Sequence, residues 1–176
     1  MKNKDSSTYK MILLGIVCAV CGLLLSVANS LTAPVIAENK IAAIKSSLQE
    51  FYPDSDFEDV TDKYLAQDET GLIDNVYATT DNSGYIFKCH GIGYNSNGLT
   101  FLIGFNTDGS VSGFKALEQN ETNGVGSKYF DDDNVKKVES IKIGDDIPMI
   151  SGATLTSTAV KNGILAAEDL FNKING

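Results

Sequence analysis

The chain begins with a long run of apolar residues that contains no charge from Met11 to Ala37. Its central part, Ile12 to Val27, is strongly apolar. About 20 apolar residues at ~1.5 Å rise each cross the ~30 Å hydrocarbon layer of a bilayer. The pattern therefore predicts one transmembrane helix over residues 11–37, with room for tilt.

Charges before this helix indicate its orientation. Three lysines and one acidic residue precede it: Lys2, Lys4, Lys10 and Asp5. Because lysine and arginine accumulate in cytoplasmic segments, residues 1–10 are predicted to be cytoplasmic and the rest of the chain to be exported. A cleaved signal peptide is the alternative, with Ser26-Val27-Ala28 as the cleavage site, but the length of the apolar run favours a retained anchor.

Beyond the anchor, short apolar runs alternate with turn-forming residues. A helical stalk is expected over residues 38–53, ended by Tyr52-Pro53, and Asp54 to Asp74 is expected to be an acidic surface segment. Four strand-like runs follow: Asn75–Thr80, Tyr85–Cys89, Leu99–Phe105 and Val111–Leu117. Because the turns between them are short, the pattern predicts an antiparallel sheet.

The last part of the chain has helical periodicity. Apolar residues recur every three or four positions: Val160, Ile164, Ala167, Phe171 and Ile174. This pattern predicts a helix that begins near Thr154 to Ser157 and packs on one face. Residues 54–176 are thus expected to form one α+β domain, with an antiparallel sheet and packed helices, on the outer side of the membrane.

Charge and composition exclude several function classes for the exported part. After Ala37 there are 22 acidic residues and 11 lysines, so we expect no binding to nucleic acid. His90 is the only histidine and follows Cys89 directly, and adjacent strand residues point to opposite faces. A Cys-His catalytic pair is therefore not expected, and no catalytic residue is assigned. Redox chemistry would have to come from a cofactor.

The remaining thiols lie in the predicted membrane helix. Cys18 and Cys21 are three residues apart and occupy nearly the same helix face. Zinc and iron-sulfur sites usually have four ligands, and the chain offers only one further thiol, Cys89. We therefore interpret the pair as packing residues and assign no metal site, with a share in a cluster between subunits as the alternative.

The stretch Ser151-Gly152-Ala153-Thr154-Leu155-Thr156-Ser157 precedes and opens the terminal helix. The first amides of a helix lack carbonyl partners and carry the positive end of its dipole, so they favour an anionic group. An ordinary N-cap, in which Ser or Thr only satisfies these amides, is the simpler interpretation. The chain contains no arginine, which is compatible with a phosphate held covalently rather than by guanidinium groups.

This stretch resembles the Ser-Gly-Ala-Thr motif of the flavin-binding family of Rnf G subunits and their relatives, the C subunits of sodium-pumping NADH:quinone reductase. A second stretch, Glu121-Thr122-Asn123-Gly124-Val125-Gly126, resembles that family's Glu-Thr-Pro-Gly-Leu-Gly loop. In the family, the motif's threonine carries FMN through a phosphoester made by a flavin transferase. The resemblance thus implies covalent FMN on Thr154. Its implied surroundings are Ser151, Gly152, Ala153, Leu155, Thr156, Glu121, Thr122, Gly124, Val125 and Gly126.

The resemblance also implies a function and partners. It favours the G subunit of a membrane-bound ferredoxin:NAD oxidoreductase that translocates ions, which passes electrons among the other membrane and peripheral subunits and is not catalytic alone. The C subunit of the sodium-pumping reductase is the near alternative, and the shortness of this chain favours the G subunit. An alternative of another class is a flavin-free, membrane-anchored binding or assembly module.

Overall fold

The computed structural model describes the backbone of residues 7–175, and their side chains except at positions 8, 33–38, 40 and 41. Of the predicted cytoplasmic segment, residues 1–6 lie outside the described residues. The chain divides into two compact units, with the boundary between Ala43 and Ile44. The boundaries expected for the membrane, stalk and flavin regions remain predictions.

The first unit consists of the long N-terminal helix. Helix α1 spans Ser7–Phe51 and continues into the second unit. Its stretch Tyr9–Thr32, 24 residues with a mean hydropathy of 2.8, is the one helix among the described residues that is long and apolar enough to cross a membrane. This stretch contains most of the predicted transmembrane run.

The second unit contains an antiparallel sheet of five strands in the order β1-β2-β3-β4-β5. The strands are β1 (Phe57–Asp59), β2 (Ile73–Thr79), β3 (Gly84–Gly91), β4 (Leu99–Asn106) and β5 (Val111–Gln119). Each strand pairs with the next one along the chain, as expected for strands that are joined by short turns. The predicted antiparallel α+β fold is confirmed, and the four predicted runs correspond to β2 to β5.

Helical segments surround the sheet. They are α2 (Thr61–Tyr64), the 3-10 turns η1 (Leu65–Gln67) and η2 (Gly126–Phe130), α3 (Asp132–Glu139) and α4 (Thr154–Asn175). The predicted start of the terminal helix near Thr154 is confirmed.

Two segments differ from the sequence-based expectation. The acidic segment 54–74 contains β1, α2 and η1. β1 lies at the sheet edge, and Glu58 and Asp59 in it are exposed. Its residues therefore do not alternate between apolar and polar, and no strand could be predicted from them. Helix α3, for which the sequence analysis gave no helix, has Asp131 at its N-cap position and Asp132 and Asp133 in its first turn, where carboxylates are favourable.

Alternation along the strands divides the core between the two sheet faces. Phe87, Phe101 and Ile103 belong to the larger cluster, which includes α4 and η2. Ile86 and Leu102 belong to a smaller cluster with Leu48 and Tyr52, at the end of α1 and just after it. Period-two alternation of side chains explains why neighbouring strand residues enter different clusters. The sheet is thereby fixed on both faces, and α4 is fixed against one of them.

Candidate functional site

A tight turn leads into α4. The Ala153 amide donates to the Ile150 carbonyl at 3.0 Å, and Gly152 within the turn has φ +82°. That left-handed conformation is strained for residues with a side chain. Ala153 is buried, at 2% exposure, so its methyl group packs inward while Ser151 and Gly152 remain exposed. The turn thus anchors the helix start to the core on one side and leaves it open on the other.

The first helical hydrogen bond runs from the Ser157 amide to the Ala153 carbonyl, at 2.8 Å. The amides of Thr154, Leu155 and Thr156 precede it and have no backbone acceptor in the part of the chain that the structure describes. Such amides, with the helix dipole, favour an anionic group. The start of α4 therefore has three amides without a backbone acceptor, and phosphate binding there stays a prediction.

The hydroxyl groups of this segment differ in exposure. Thr156 and Ser157 are both 0% exposed. Thr156 donates to the Glu121 carboxylate at 2.9 Å, and Ser157 Oγ accepts from the Ile150 amide at 3.0 Å. Thr154 is exposed. Of the two threonines in the motif, only Thr154 thus presents its side chain to an outside group.

Glu121, from the second predicted motif, lies beside the start of α4. It is 7% exposed, and its Oε2 accepts from the Thr156 hydroxyl and, at 3.2 Å, from the Tyr94 amide. Its Oε1 is buried without a hydrogen-bond partner among the described residues. The structure therefore brings the two motifs together through a buried carboxylate, although 35 residues separate Glu121 from Thr156.

Glycines allow this close approach. A Cβ at Gly126 would collide with the Glu121 carboxylate and lie 2.5 Å from Thr156 Oγ1. A Cβ at Gly93 would collide with the same carboxylate. The lack of a side chain at Gly126 thus lets Glu121 and Thr156 approach its backbone, whereas Gly124 has φ +75° and open space around it.

The rest of the second motif forms an exposed turn. The Val125 amide donates to the Thr122 carbonyl at 3.0 Å, and the Ser127 hydroxyl accepts from the Gly124 amide at the same distance. Thr122 and Gly124 are exposed and Val125 is half-buried. Of this motif, Glu121 and Gly126 lie against Thr156 at the start of α4.

Three residues at the site were missed by the sequence analysis: Gly93, Tyr94 and Lys128. Tyr94 lies 62 residues before its contact Thr156, so no local pattern could reveal the pair. Lys128 Nζ lies 3.7 Å from the position of a Cβ on Gly152. Lys128 follows Gly126 by two residues. This closeness to the second motif is the only signal in the sequence that could have indicated Lys128 as a site residue.

Apolar side chains are exposed around the same region. Tyr94 is 56% and Leu155 59% exposed, and Ile92 and Met149 are 72% and 48% exposed. Exposed apolar side chains that form a contiguous patch often mark a site for a ligand or a partner. The helix start is therefore bordered by an apolar surface that a planar ring system could cover.

The cysteine and histidine residues lie outside this region. Cys89 is fully buried, its thiol lies 3.5 Å from the Gly163 carbonyl, and burial raises the pKa of that thiol. His90 Nδ1 lies 2.8 Å from Asp74 Oδ1. Cys18 and Cys21 are exposed free thiols on α1. Within the described residues, no group of three or more His, Cys, Asp or Glu side chains could hold a metal ion.

Comparison with known proteins identifies both parts of the chain. Residues 93–168, which contain both motifs, match the family described as FMN-binding domain. Residues 1–51, which include α1 up to its last residue, match the RnfG N-terminal region. The two matches cover separate residues and occur in the order expected for an anchored flavin domain.

Relatives match along nearly the whole chain. One from Clostridium ljungdahlii, named as the G subunit of a proton-translocating ferredoxin:NAD(+) oxidoreductase complex, is 26% identical over 99% of this chain and 98% of the relative. One from Acetobacterium woodii, named as the G subunit of a Na(+)-translocating ferredoxin:NAD(+) oxidoreductase complex, is 26% identical over 93% and 91%. One from Methanosarcina acetivorans, named as the G subunit of an ion-translocating oxidoreductase complex, is 25% identical over both full lengths. With the two matched regions in their order, these relatives show that the chain belongs to the family of Rnf complex G subunits.

Proposed function

We propose that this chain is the electron-transfer subunit of a membrane-bound, ion-translocating ferredoxin:NAD oxidoreductase, and that it carries FMN joined to Thr154 through a phosphoester. The observation that carries this proposal is the exposed Thr154 at the first position of α4, within the matched FMN-binding domain. Bound FMN would supply one- and two-electron chemistry. The chain itself would hold and orient the flavin and would not be catalytic alone.

The residues present fit a phosphodiester on Thr154. The Thr154 side chain is exposed, and the amides of Thr154, Leu155 and Thr156 have no helical acceptor. Gly152 and Ser151 add no bulky side chain on the open side of the turn. Attachment would form the Thr154 Oγ–P bond while the phosphoanhydride bond of flavin adenine dinucleotide breaks, with adenosine monophosphate as the leaving group and loss of the hydroxyl proton. A flavin transferase would catalyse this step.

The surroundings also support a position for the flavin ring. Glu121 ties the loop of residues 121–126 to the helix start through Thr156, so the loop lies beside the attachment point. Exposed Tyr94 and Leu155 border the same place. We therefore propose that the isoalloxazine or its ribityl chain lies against this loop and the adjacent apolar side chains, with Gly124 and Gly126 leaving space for it.

The anchor supports action within a membrane assembly. The stretch Tyr9–Thr32 is long and apolar enough to span a bilayer, and the lysines before it favour a cytoplasmic N-terminus and an exported flavin domain. Electrons tunnel usefully only over short distances, so a flavin on a freely diffusing domain would seldom meet its donor. We propose that other membrane and peripheral subunits hold the domain in place.

Two alternatives differ in what they predict. Relatives named as G subunits cover nearly the full chain, which favours this assignment over the C subunit of the sodium-pumping quinone reductase. A flavin-free assembly module would leave the exposed apolar side chains of Tyr94 and Leu155 without a ligand. The presence of flavin on the denatured protein separates this last alternative from the proposal, because only covalent flavin survives unfolding.

The test uses the full chain expressed in membranes with a flavin transferase, followed by denaturing electrophoresis and intact mass. The wild type should show in-gel flavin fluorescence and the mass of one FMN, and Thr154→Ala should lose both. Thr158→Ala is the matched control, since Thr158 is also exposed and lies one helical turn further on. Thr156→Val should keep the label, because its hydroxyl is buried.

A wild type without any covalent flavin would contradict the proposal as a whole. Fluorescence that persists in Thr154→Ala but disappears in Thr156→Val would contradict the assignment of the attachment residue alone. Loss of label in Thr158→Ala would indicate that the exposed helix face, and not one hydroxyl, determines the modification.

A further inference from the structure

The Lys128 side chain lies close to the turn that precedes Thr154, and no ion pair of this side chain is found among the described residues. Its Nζ is 3.7 Å from the position that a Cβ on Gly152 would occupy, and Gly152 is two residues before Thr154. Four other lysines of the second unit have carboxylates within ion-pair distance: Lys88, Lys115, Lys142 and Lys173. In the described part of the chain, no carboxylate pairs with Lys128.

The position of Lys128 is set by its neighbours in η2. Gly126 packs against Glu121 and Thr156. Tyr129 is 0% exposed, and its hydroxyl donates to the Pro148 carbonyl at 3.3 Å. Both contacts join η2 to the two sides of the turn that precedes α4. Lys128 lies between these anchored residues, so its backbone is held beside the turn while its side chain is exposed.

Few other cations of the chain could lie near an anionic group on Thr154. The chain has no arginine, and its one histidine, His90, contacts Asp74. Lys161, on α4, is seven residues after Thr154, which places it about 10 Å further along the helix axis. The exported part is strongly acidic, so an anionic group at Thr154 gains from a nearby positive charge.

We propose that the Lys128 ammonium is the counter-charge of the phosphodiester on Thr154 and orients it toward the amides at the start of α4. This inference rests on the proposed attachment of FMN to Thr154. Lys128 would act as a binding residue for the phosphate, together with helix amides, in a protein that has no guanidinium group for this role. The distance of Lys128 from Gly152 and the anchoring of η2 carry the inference.

The experiment measures modification and the phosphate environment separately. Full-length protein in detergent is modified with flavin adenine dinucleotide and purified flavin transferase, and the initial rate is followed by in-gel fluorescence. The ³¹P resonance of the modified protein is then recorded. Lys128→Gln is compared with two controls. Lys128→Arg keeps the positive charge at this position, and Lys136→Gln removes the positive charge of another exposed lysine. Lys161→Gln tests the nearest rival.

We expect Lys128→Gln to be modified about two- to fivefold more slowly than the wild type, the size of effect typical of an exposed charge pair. Its ³¹P resonance should move away from the wild-type position and lose most of its dependence on salt concentration. Lys128→Arg, Lys136→Gln and Lys161→Gln should stay close to the wild type in both measurements. Equal melting temperatures would show that folding is unchanged.

Several results would overturn this inference. A Lys128→Gln variant with the wild-type rate and resonance would show that Lys128 does not contact the phosphate. A slower rate with an unchanged resonance would place Lys128 in transferase recognition instead. An effect of Lys161→Gln alone would assign the role to Lys161. In all these cases the wild type is labelled, so the proposed function stands; an unlabelled wild type would overturn both.

Discussion

The two long helices of this chain have apolar side chains in opposite surroundings. In α1, the large apolar side chains from Tyr9 to Leu31 are 46% to 73% exposed. In α4, Val160, Ile164 and Leu170 are 0% exposed, because the sheet and η2 cover them. α4 therefore obtains its apolar environment from its own domain. Among the described residues, nothing covers the apolar side chains of α1 from Tyr9 to Leu31 in this way; in a bilayer, lipid or another transmembrane helix would cover them.

The two helices also differ in the role that we infer for each of them. α4 is anchored along its buried face, so its exposed first turn can present Thr154 at a fixed place. The stretch Tyr9–Thr32 of α1 is strongly apolar and contains a row of small residues, Gly15, Ala19, Gly22 and Ser26, at spacings typical of helix contacts in membranes. We infer that α4 positions the cofactor and that α1 positions the domain.

The largest effect is expected in the core that holds α4. Ile164→Ala should lower the free energy of unfolding by about 2–5 kcal/mol, since it removes buried methyl groups and leaves a cavity. Leu165→Ala is the matched control on the same helix, where the side chain is 44% exposed and the cost should stay under about 1 kcal/mol. Urea unfolding of the full chain in detergent measures both. Equal costs would contradict the placement of α4.

A charge in the middle of α1 should have the next largest effect. Val20→Lys, at a residue that is 52% exposed, should oppose membrane insertion by about 2.5–3.5 kcal/mol. Leu165→Lys makes a similar change at an exposed position of α4 and should leave membrane association intact. The fraction of each variant that resists alkaline extraction from membranes is measured. If Val20→Lys remained fully inserted, the span would not cross the bilayer at this position.

A smaller effect is expected from the row of small residues in α1. Gly15→Leu/Gly22→Leu should weaken association with a partner helix by about 1 kcal/mol, because larger side chains prevent close backbone approach. Cys21→Leu enlarges a neighbouring residue on another side of the helix and serves as the control. Co-purification with candidate membrane subunits is quantified for both. Undiminished recovery of the double variant would indicate that this row faces lipid.

The smallest effect concerns the buried carboxyl group of α4. Glu168 is 7% exposed, and burial raises its pKa while a hydrogen bond from the Gly144 backbone opposes the rise. A raised pKa in the folded state favours the protonated form, so the contribution of Glu168 to stability is complete at low pH. It is lost as the pH rises from the unfolded value of about 4.3 through the folded pKa.

Glu168→Gln should therefore gain stability relative to the wild type as the pH rises through this range. At neutral pH the gain is expected to be under about 1 kcal/mol, because the neutral amide avoids the burial of a charge. Glu58→Gln, at an exposed residue of β1, is the control and should show no such trend. A stability difference that does not change with pH would refute the explanation by burial.

Sequence patterns predicted the elements whose signals are local. The short apolar runs of β2 to β5 and the spacing of Val160, Ile164 and Ala167 in α4 both reflect burial of residues that are close in the chain, so they are visible without the fold. The sequence analysis missed β1 and α3 because these two elements lack such a local apolar pattern. β1 exists through its hydrogen bonds to β2, and α3 has a single buried residue, Val138, so neither carries a strong apolar period.

The sequence by itself determined the long apolar N-terminal helix, the antiparallel sheet, the terminal helix and the two motifs that resemble those of the family, because each depends on residues that are close in the chain. Tertiary structure decided how these parts form a site. Only packing makes Thr156 a buried partner of Glu121 and leaves Thr154 exposed, and only packing brings Lys128 beside Gly152. These contacts join residues that are distant in sequence, and their geometry follows from the common core that η2, α4 and the sheet bury together.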